Sequence, residues 1–382
     1  MSFTEITSTS WFSRLGDSIK GILFGLIAIP VAIILLFGNE KREVGRTRIL
    51  EGGAKMVVAV DAEKISPANE NKLVYLTADA TTSETLTDPD YGVSLEGALK
   101  LQRHVEYYQY QEEFKSETEK KLGGGTETVA IYDYSAQWVD SPIDSASFKD
   151  PAFKIKNTIL KEIPQTTLSP NSVQLGAYQL SSNQITRLIA DTQFSLTADH
   201  PLPAVVAAEA KVSGNNIYYG TDAQTPSIGD ARVHFTYTPT GTYSIIAQQA
   251  GNSFVNYKTK DDSLSILKLG AHSADSLFAQ EASSNRMLSW ILRAVGFALI
   301  AFGFAAILSP LSVVLDVVPF LGNIAEMGTT LIAFVLSLSI SSVTIAIAWL
   351  TFRPLIGCSL LLITFGAIYW LNRLKKNSAI IP

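Results

Sequence analysis

The sequence predicts a membrane protein with four transmembrane helices, one N-terminal and three C-terminal, around a large α+β extramembrane domain that is mainly antiparallel sheet. Three observations predict it. An uncharged apolar run lies near the N-terminus, an acidic middle stretch shows strand periodicity, and from residue 288 to residue 371 the chain is apolar, with only Arg293, Asp316, Glu326 and Arg353 charged.

Residues 1–20 read as a short cytoplasmic tail, because Arg14 and Lys20 precede the first apolar run. Residues 21–38 (GILFGLIAIPVAIILLFG) carry no charge and are near the minimum for crossing about 30 Å of hydrocarbon as a helix. Pro30 lies mid-run, where a lipid-embedded helix tolerates it through its neighbours. A cleaved signal peptide would end in a small-x-small site, whereas this run ends in Asn39, Glu40, Lys41 and Arg42. The run is therefore expected to be an uncleaved anchor.

Residues 39–285 form the predicted extramembrane domain. From Lys41 to Asn285 the chain holds 22 Lys plus Arg against 30 Asp plus Glu, with no basic stripe, which argues against a nucleic-acid partner. Strand candidates are Lys55–Val60, Lys72–Thr77, Leu99–Tyr110, Thr128–Trp138, Ala231–Tyr237 and Tyr243–Gln248, all rich in β-branched and aromatic residues. The third and fourth are joined by EEFKSETEKKLGGG, a charged, Gly-ended stretch that reads as a long hairpin loop. TPTGT joins the last two as a turn. Ser181–Asp191 has a Ser cap and helical apolar spacing. Ala271–Asn285 has helical composition and no proline, so it reads as a stalk helix continuous with the next span.

Residues 286–309 are the second span, 329–350 the third and 355–371 the fourth, with a tight turn at 351–354 and a C-terminal cytoplasmic tail at 372–382. Trp290, Trp349, Tyr369 and Trp370 fall at span ends, where amphipathic rings sit at headgroup level. The segment 310–328 is apolar but interrupted by Asp316, Pro319, Gly322 and Glu326, and reads as an interfacial or re-entrant linker. Four spans place both termini on one side and the domain on the other. Lys41, Arg42, Arg46 and Arg48 follow the first span directly, so charge counting alone does not fix the side.

Motifs for chemistry are sparse. The four histidines are scattered singly, and the one cysteine, Cys358, lies in the last span, so no intramolecular disulfide is possible. His104 and Glu106 would share a strand face, which suits a carboxylate orienting an imidazole but equally suits an exposed polar face. Gly123–Gly125 lacks the Lys-Ser/Thr of a phosphate loop and reads as a hairpin tip. Glu84, Asp88 and Asp90 lie in turn-forming sequence with too few ligands for a hard cation. The expectation is a protein that is not an enzyme, with no catalytic residue, metal ligand or cofactor. Ionisable residues in the membrane segments are the candidates, because they are costly there and face protein, water or an interface. Arg293, Asp316, Glu326, Arg353 and Pro354 are the candidate membrane-interface and helix-pairing residues.

Several strings resemble the LUMA family, also called transmembrane protein 43: PANENKLVYL at Pro67–Leu76, LTDPDYGV at Leu86–Val93, LKLQRHVEYYQY at Leu99–Tyr110, GDARVHFTY at Gly229–Tyr237, SNRMLSWILRAVG at Ser284–Gly296 and FRPL at Phe352–Leu355. Their order matches the family along nearly the whole chain. Departures concentrate in Pro142–Ser172, where Lys156-Asn157-Thr158 replaces a family-like Asn-Pro step. The resemblance implies cytoplasmic or nucleoplasmic termini and a luminal or periplasmic domain. It also implies a non-enzymatic role, in a bacterial inner membrane or in the endoplasmic reticulum and inner nuclear membrane. The expected function is a multi-pass scaffold that binds the bilayer, forms a homo-oligomer and organises lipids or other membrane proteins. The alternative is a lipid- or small-molecule-binding protein, or a weak lipid-processing one, whose site forms at the membrane interface where Arg293 meets Asp316 or Glu326.

Overall fold

A computed structural model describes residues 2–260, 262–355, 357–359 and 362. Among them, three helices are long and apolar enough to cross a membrane: α1 (Trp11–Met56), α2 (Ala274–Leu315) and α3 (Pro319–Phe352). Most of the expected fourth span, 355–371, and the whole C-terminal tail lie outside the described residues.

The helices are longer than the apolar runs. Ser10 caps α1 by accepting from the Ser13 N–H at 3.2 Å, and nothing breaks the helix until Val57. The expected strand at Lys55–Val60 is shortened: Lys55 and Met56 close the helix, and only Val58–Ala59 pair as strand. Ser273 caps α2 in the same way, and the expected stalk at Ala271–Asn285 does run unbroken into the membrane helix. The predicted linker at 310–328 is corrected to a short break at 316–318 between α2 and α3. Pro310 does not end α2 because the Ser309 hydroxyl donates at 2.8 Å to the Ala306 carbonyl, which the proline cannot reach with an N–H. Pro319 begins α3 at a position where a missing N–H costs nothing.

The helices pack through small residues. Gly25, Ala28 and Ala32 on α1 are buried against α2, where Gly296 and Gly303 occupy the facing positions. A Cβ on Gly303 would lie 2.8 Å from Ile29 Cγ1, and one on Gly25 would collide with the Gly303 carbonyl. Close backbone approach of this kind is what holds helices together where lipid offers no hydrophobic drive. The Ser337 hydroxyl donates to the Phe297 carbonyl at 3.1 Å, joining α3 to α2.

Among the described residues the middle domain is built on two large sheets, with two two-stranded sheets beside them. The first runs β1 (Ser2–Thr9), β4 (Thr126–Val139), β3 (Lys100–Lys120), β7 (Ala231–Thr238), β6 (Asn216–Tyr219) and β5 (Ala210–Ser213). The second is centred on β8 (Gly241–Ala250), flanked by β2 (Leu73–Thr81) and β9 (Ile266–Leu269). Alternate residues of β3, Leu101, Val105 and Tyr107, enter one core with Val233 and Phe235. Val74, Leu76, Ile245 and Ala247 enter the other. A third cluster, with Ile49 and Leu50 of α1, Leu277 and Phe278 of α2, and Leu73 and Ile246 of the second sheet, fixes the domain to the ends of both helices. The predicted helix at Ser181–Asp191 is a single turn, Ser182–Thr186, closed by a capping box from Ser181 and Gln184.

Two expectations about the N-terminal half are corrected. The stretch read as a long loop is strand: β3 and β4 pair without interruption from Tyr107↔Val139 to Lys120↔Thr126, leaving only residues 121–125 as the tip. Alternating Thr, Val and Tyr on β4 hold register against a charged β3, so cross-strand pairing overrides the polar composition. Residues 1–20 are not a free tail. Ser2–Thr9 adds to β4 in antiparallel register, Phe3 opposite Tyr132 and Thr9 opposite Thr126. The result is a three-stranded ribbon, β3-β4-β1, reaching out from the domain.

Candidate functional site

Each end of the helical bundle carries a cluster of charges. At a rise of about 1.5 Å per residue, Arg14 and Glu40 of α1 are roughly 39 Å apart, the thickness of a bilayer including its interfaces.

At the domain end, Glu40 is fully buried and accepts from Arg293 Nε at 2.6 Å and Nη2 at 2.9 Å. Trp349 of α3 donates its indole N–H to the same carboxylate at 2.8 Å, so one glutamate ties all three helices together. The Arg293 guanidinium also lies 4.9 Å from the centre of the Trp290 ring. One turn further along α1, Glu43 pairs with Arg353. Asn39 donates to the Ser289 carbonyl at 3.1 Å, and Arg42 donates to Asn285 at 2.8 Å. Arg46 reaches Glu281 at 2.8 Å. Of the four basic residues that obscured the charge count, Arg42 and Arg46 thus join the two stalks, and Arg48 donates to the Phe352 carbonyl at 2.6 Å.

At the other end, Asp316 sits in the break between α2 and α3 with 1% exposure, and both its oxygens meet cations. Arg14 lies 2.5 Å from one, and Lys120 of the ribbon 2.9 Å from the other. Lys120 also pairs with Glu326 at 2.6 Å. The tip is bound by its backbone too: Gly123 donates to the Val317 carbonyl at 3.1 Å, and the Gly124 carbonyl accepts from Arg14. Trp11 donates to the Val313 carbonyl at 2.8 Å and lies against Gly124, whose φ of +82° and close ring contact both exclude a side chain.

Of the residues singled out in the sequence, Arg293 and Arg353 lie at the domain end, Asp316 and Glu326 at the other. Arg293 therefore does not meet Asp316 or Glu326, and the combined site expected from them does not form. Pro354 follows Arg353 and lines a cavity of about 450 Å³ with Thr47, Arg48, Glu51 and Phe352. Sequence reading missed Glu40, Glu43, Arg14 and Lys120. Glu40 had a legible signal, being the first acid after an uncharged run, but it was read only as the end of the span.

His104 and Glu106 do share a face, and both find partners on β7 rather than each other. The His104 ring stacks on His234, with centroids 4.9 Å apart and planes 12° from parallel, while Glu106 takes both forks of Arg232 at 2.6 and 3.0 Å. Asp88 is buried beside Arg103 at 3.0 Å, and Arg103 also pairs with Asp90 at 2.9 Å. Burial outweighs that partner and raises the Asp88 carboxyl. Glu84 caps a loop instead, accepting from the Asn171 and Ser172 N–H groups at 3.0 and 2.8 Å, which lowers its pKa. Among the described residues no group of three or more His, Cys, Asp or Glu could hold a metal ion.

A family model described as Transmembrane protein 43 matches residues 107–354. The chain is 30% identical over 372 residues to Transmembrane protein 43 of Rattus norvegicus, covering 93% of this chain and 91% of the relative. It is 31% identical over 358 residues to the Homo sapiens protein of that name, covering 90% and 88%. The Transmembrane protein 43 homolog of Drosophila melanogaster is 29% identical over 365 residues, covering 92% and 94%. No solved structure matches.

Proposed function

The chain belongs to the Transmembrane protein 43 family, and from that premise we propose that it is a non-enzymatic membrane scaffold that self-associates and organises lipids or other membrane proteins. The observation that carries this reading is the rigid joint between bundle and domain. Two helices run unbroken from the apolar zone into the domain, Glu40 ties them to the third, and a ribbon from the domain is clasped at the opposite end. A soluble domain on a flexible tether would need none of these contacts. A rigid body anchored at two depths suits a protein that holds others in position.

In this reading residues 355–371 supply a fourth span, and the domain body faces the lumen or periplasm. Arg14, Lys20, Arg373, Lys375 and Lys376 would then flank the cytoplasmic side. Crosslinking in native membranes tests the reading. Discrete higher-order species are expected, and strictly monomeric behaviour in membranes, detergents and lipid discs would overturn it.

The cavity beside Pro354 favours a second reading, a lipid headgroup held at the domain-side boundary by Arg48 and Arg353. Anionic lipid should then copurify with the protein and be lost on Arg353→Gln. Equal lipid content in the variant would rule it out.

A further inference from the structure

The ribbon occupies the same height as the bundle. Its base is in the first sheet, whose strand β7 leads through a two-residue turn into β8 of the sheet packed on the C-terminal end of α1, and its tip binds Arg14 and Asp316 at the other end. Between them Glu113–Lys120 spans about 26 Å at 3.3 Å per residue, close to the thickness of hydrocarbon. One face of this stretch carries Glu113, Lys115, Glu117 and Glu119 from β3, all exposed, with Glu127 and Asp133 from β4. Glu113 stands directly opposite Asp133, and Glu119 opposite Glu127. Like charges so placed repel, and lipid would make that repulsion prohibitive. Lys121 bridges Glu119 and Glu127 at 3.1 and 3.4 Å, at the tip only.

Among the described residues, both margins of the ribbon are also open strand edges. β1 ends the sheet on one side, and on the other β7 leaves β3 at Tyr107. Unpaired backbone groups do not persist against hydrocarbon. The two edges are alike in length and height, because Ser2–Thr9 lies level with Glu113–Lys120 across β4. They also run in the same direction, each being antiparallel to β4.

We propose that the partner at these edges is a second copy of this chain, with β1 of one copy pairing in parallel with Glu113–Lys120 of the next, so that each open edge satisfies the backbone groups of the other. Copies that share one bilayer normal keep their strands parallel, as this pairing requires. Charge selects the edges. On the acidic face β1 presents Ser2, Thr4, Ile6 and Ser8, which are neutral, whereas two β3 edges would set glutamate against glutamate. The contact is head-to-tail and propagates beyond a dimer. This inference rests on the self-association proposed above and gives it a surface.

The test uses the full chain carrying Cys358→Ser in native membranes, with Ile6→Cys and Glu117→Cys together. Within one copy these positions flank β4, about 10 Å apart, too far for a disulfide. Oxidation should give a ladder of crosslinked species from the double variant and monomer from either single variant. A membrane-impermeant maleimide should label Glu117→Cys before oxidation. Dimers from Ile6→Cys alone, or no labelling at position 117, would overturn the pairing. Oligomers captured by amine crosslinking without any disulfide ladder would overturn the pairing and leave self-association standing, whereas monomers by both methods would remove both.

Discussion

Arg293 and Glu40 form a two-pronged ion pair, at 2.6 and 2.9 Å, at the point where the bundle leaves the apolar zone. Glu40 has no exposure to solvent, and among the described residues its carboxyl oxygens are met by the Arg293 guanidinium and the Trp349 indole.

Removing one partner of such a pair strands a buried charge, at a cost of about 3–5 kcal/mol. Arg293→Gln is expected to lower the thermal unfolding midpoint in detergent steeply, and Glu40→Gln less, because a neutral amide still bonds Trp349. The double variant should lose less than the sum. Additive losses in the double-mutant cycle would show that the pair is not coupled.

Helix contact at Gly25 and Gly303 leaves no room for a side chain. Overpacking of this kind costs about 1–3 kcal/mol, so Gly303→Val is expected to destabilise the bundle by that amount. Gly38→Ala, at a position with open space, serves as the comparison. Equal stability of the two variants in chemical denaturation would contradict the packing argument.

Asp316 holds the ribbon tip through Arg14 and Lys120. Asp316→Asn should free residues 121–125, seen as faster amide exchange and faster proteolysis at the tip, with exchange in β7 and β8 unchanged. Unaltered exchange at Gly123 and Gly124 would mean that the clasp does not hold the tip.

His234 is held below its ordinary pKa of 6.5, first by burial and then by the neighbouring His104, against the opposing pull of Glu106. The folded domain therefore resists protonation there while the unfolded chain accepts it. Stability is complete above about pH 6.5 and declines as pH falls below that value toward the folded pKa. His234→Gln should flatten this acid limb in a series of melts from pH 7.5 to pH 5. A limb of unchanged slope would assign it to other groups.

What the sequence determined by itself follows from patterns that are local. Uncharged runs identify membrane helices, alternation on Leu99–Tyr110 and Ala231–Tyr237 identifies strands, and quoted strings carry the family. Each depends on neighbours within a few residues, where burial imposes its period directly on composition. Tertiary structure decided what those patterns do not contain. Ser2–Thr9 has no apolar alternation and becomes strand only because β4 offers it an edge. The charged stretch after Tyr110 reads as loop and is strand because backbone pairing needs no apolar side chain. The same holds for the ion pairs. Arg293 was visible as a charge in an apolar run, but its partner lies on α1, 253 residues away in sequence, and Asp316 finds Lys120 across 196 residues. Partner choice between distant charges is a property of how helices and ribbon are brought together, and only the folded chain sets those distances.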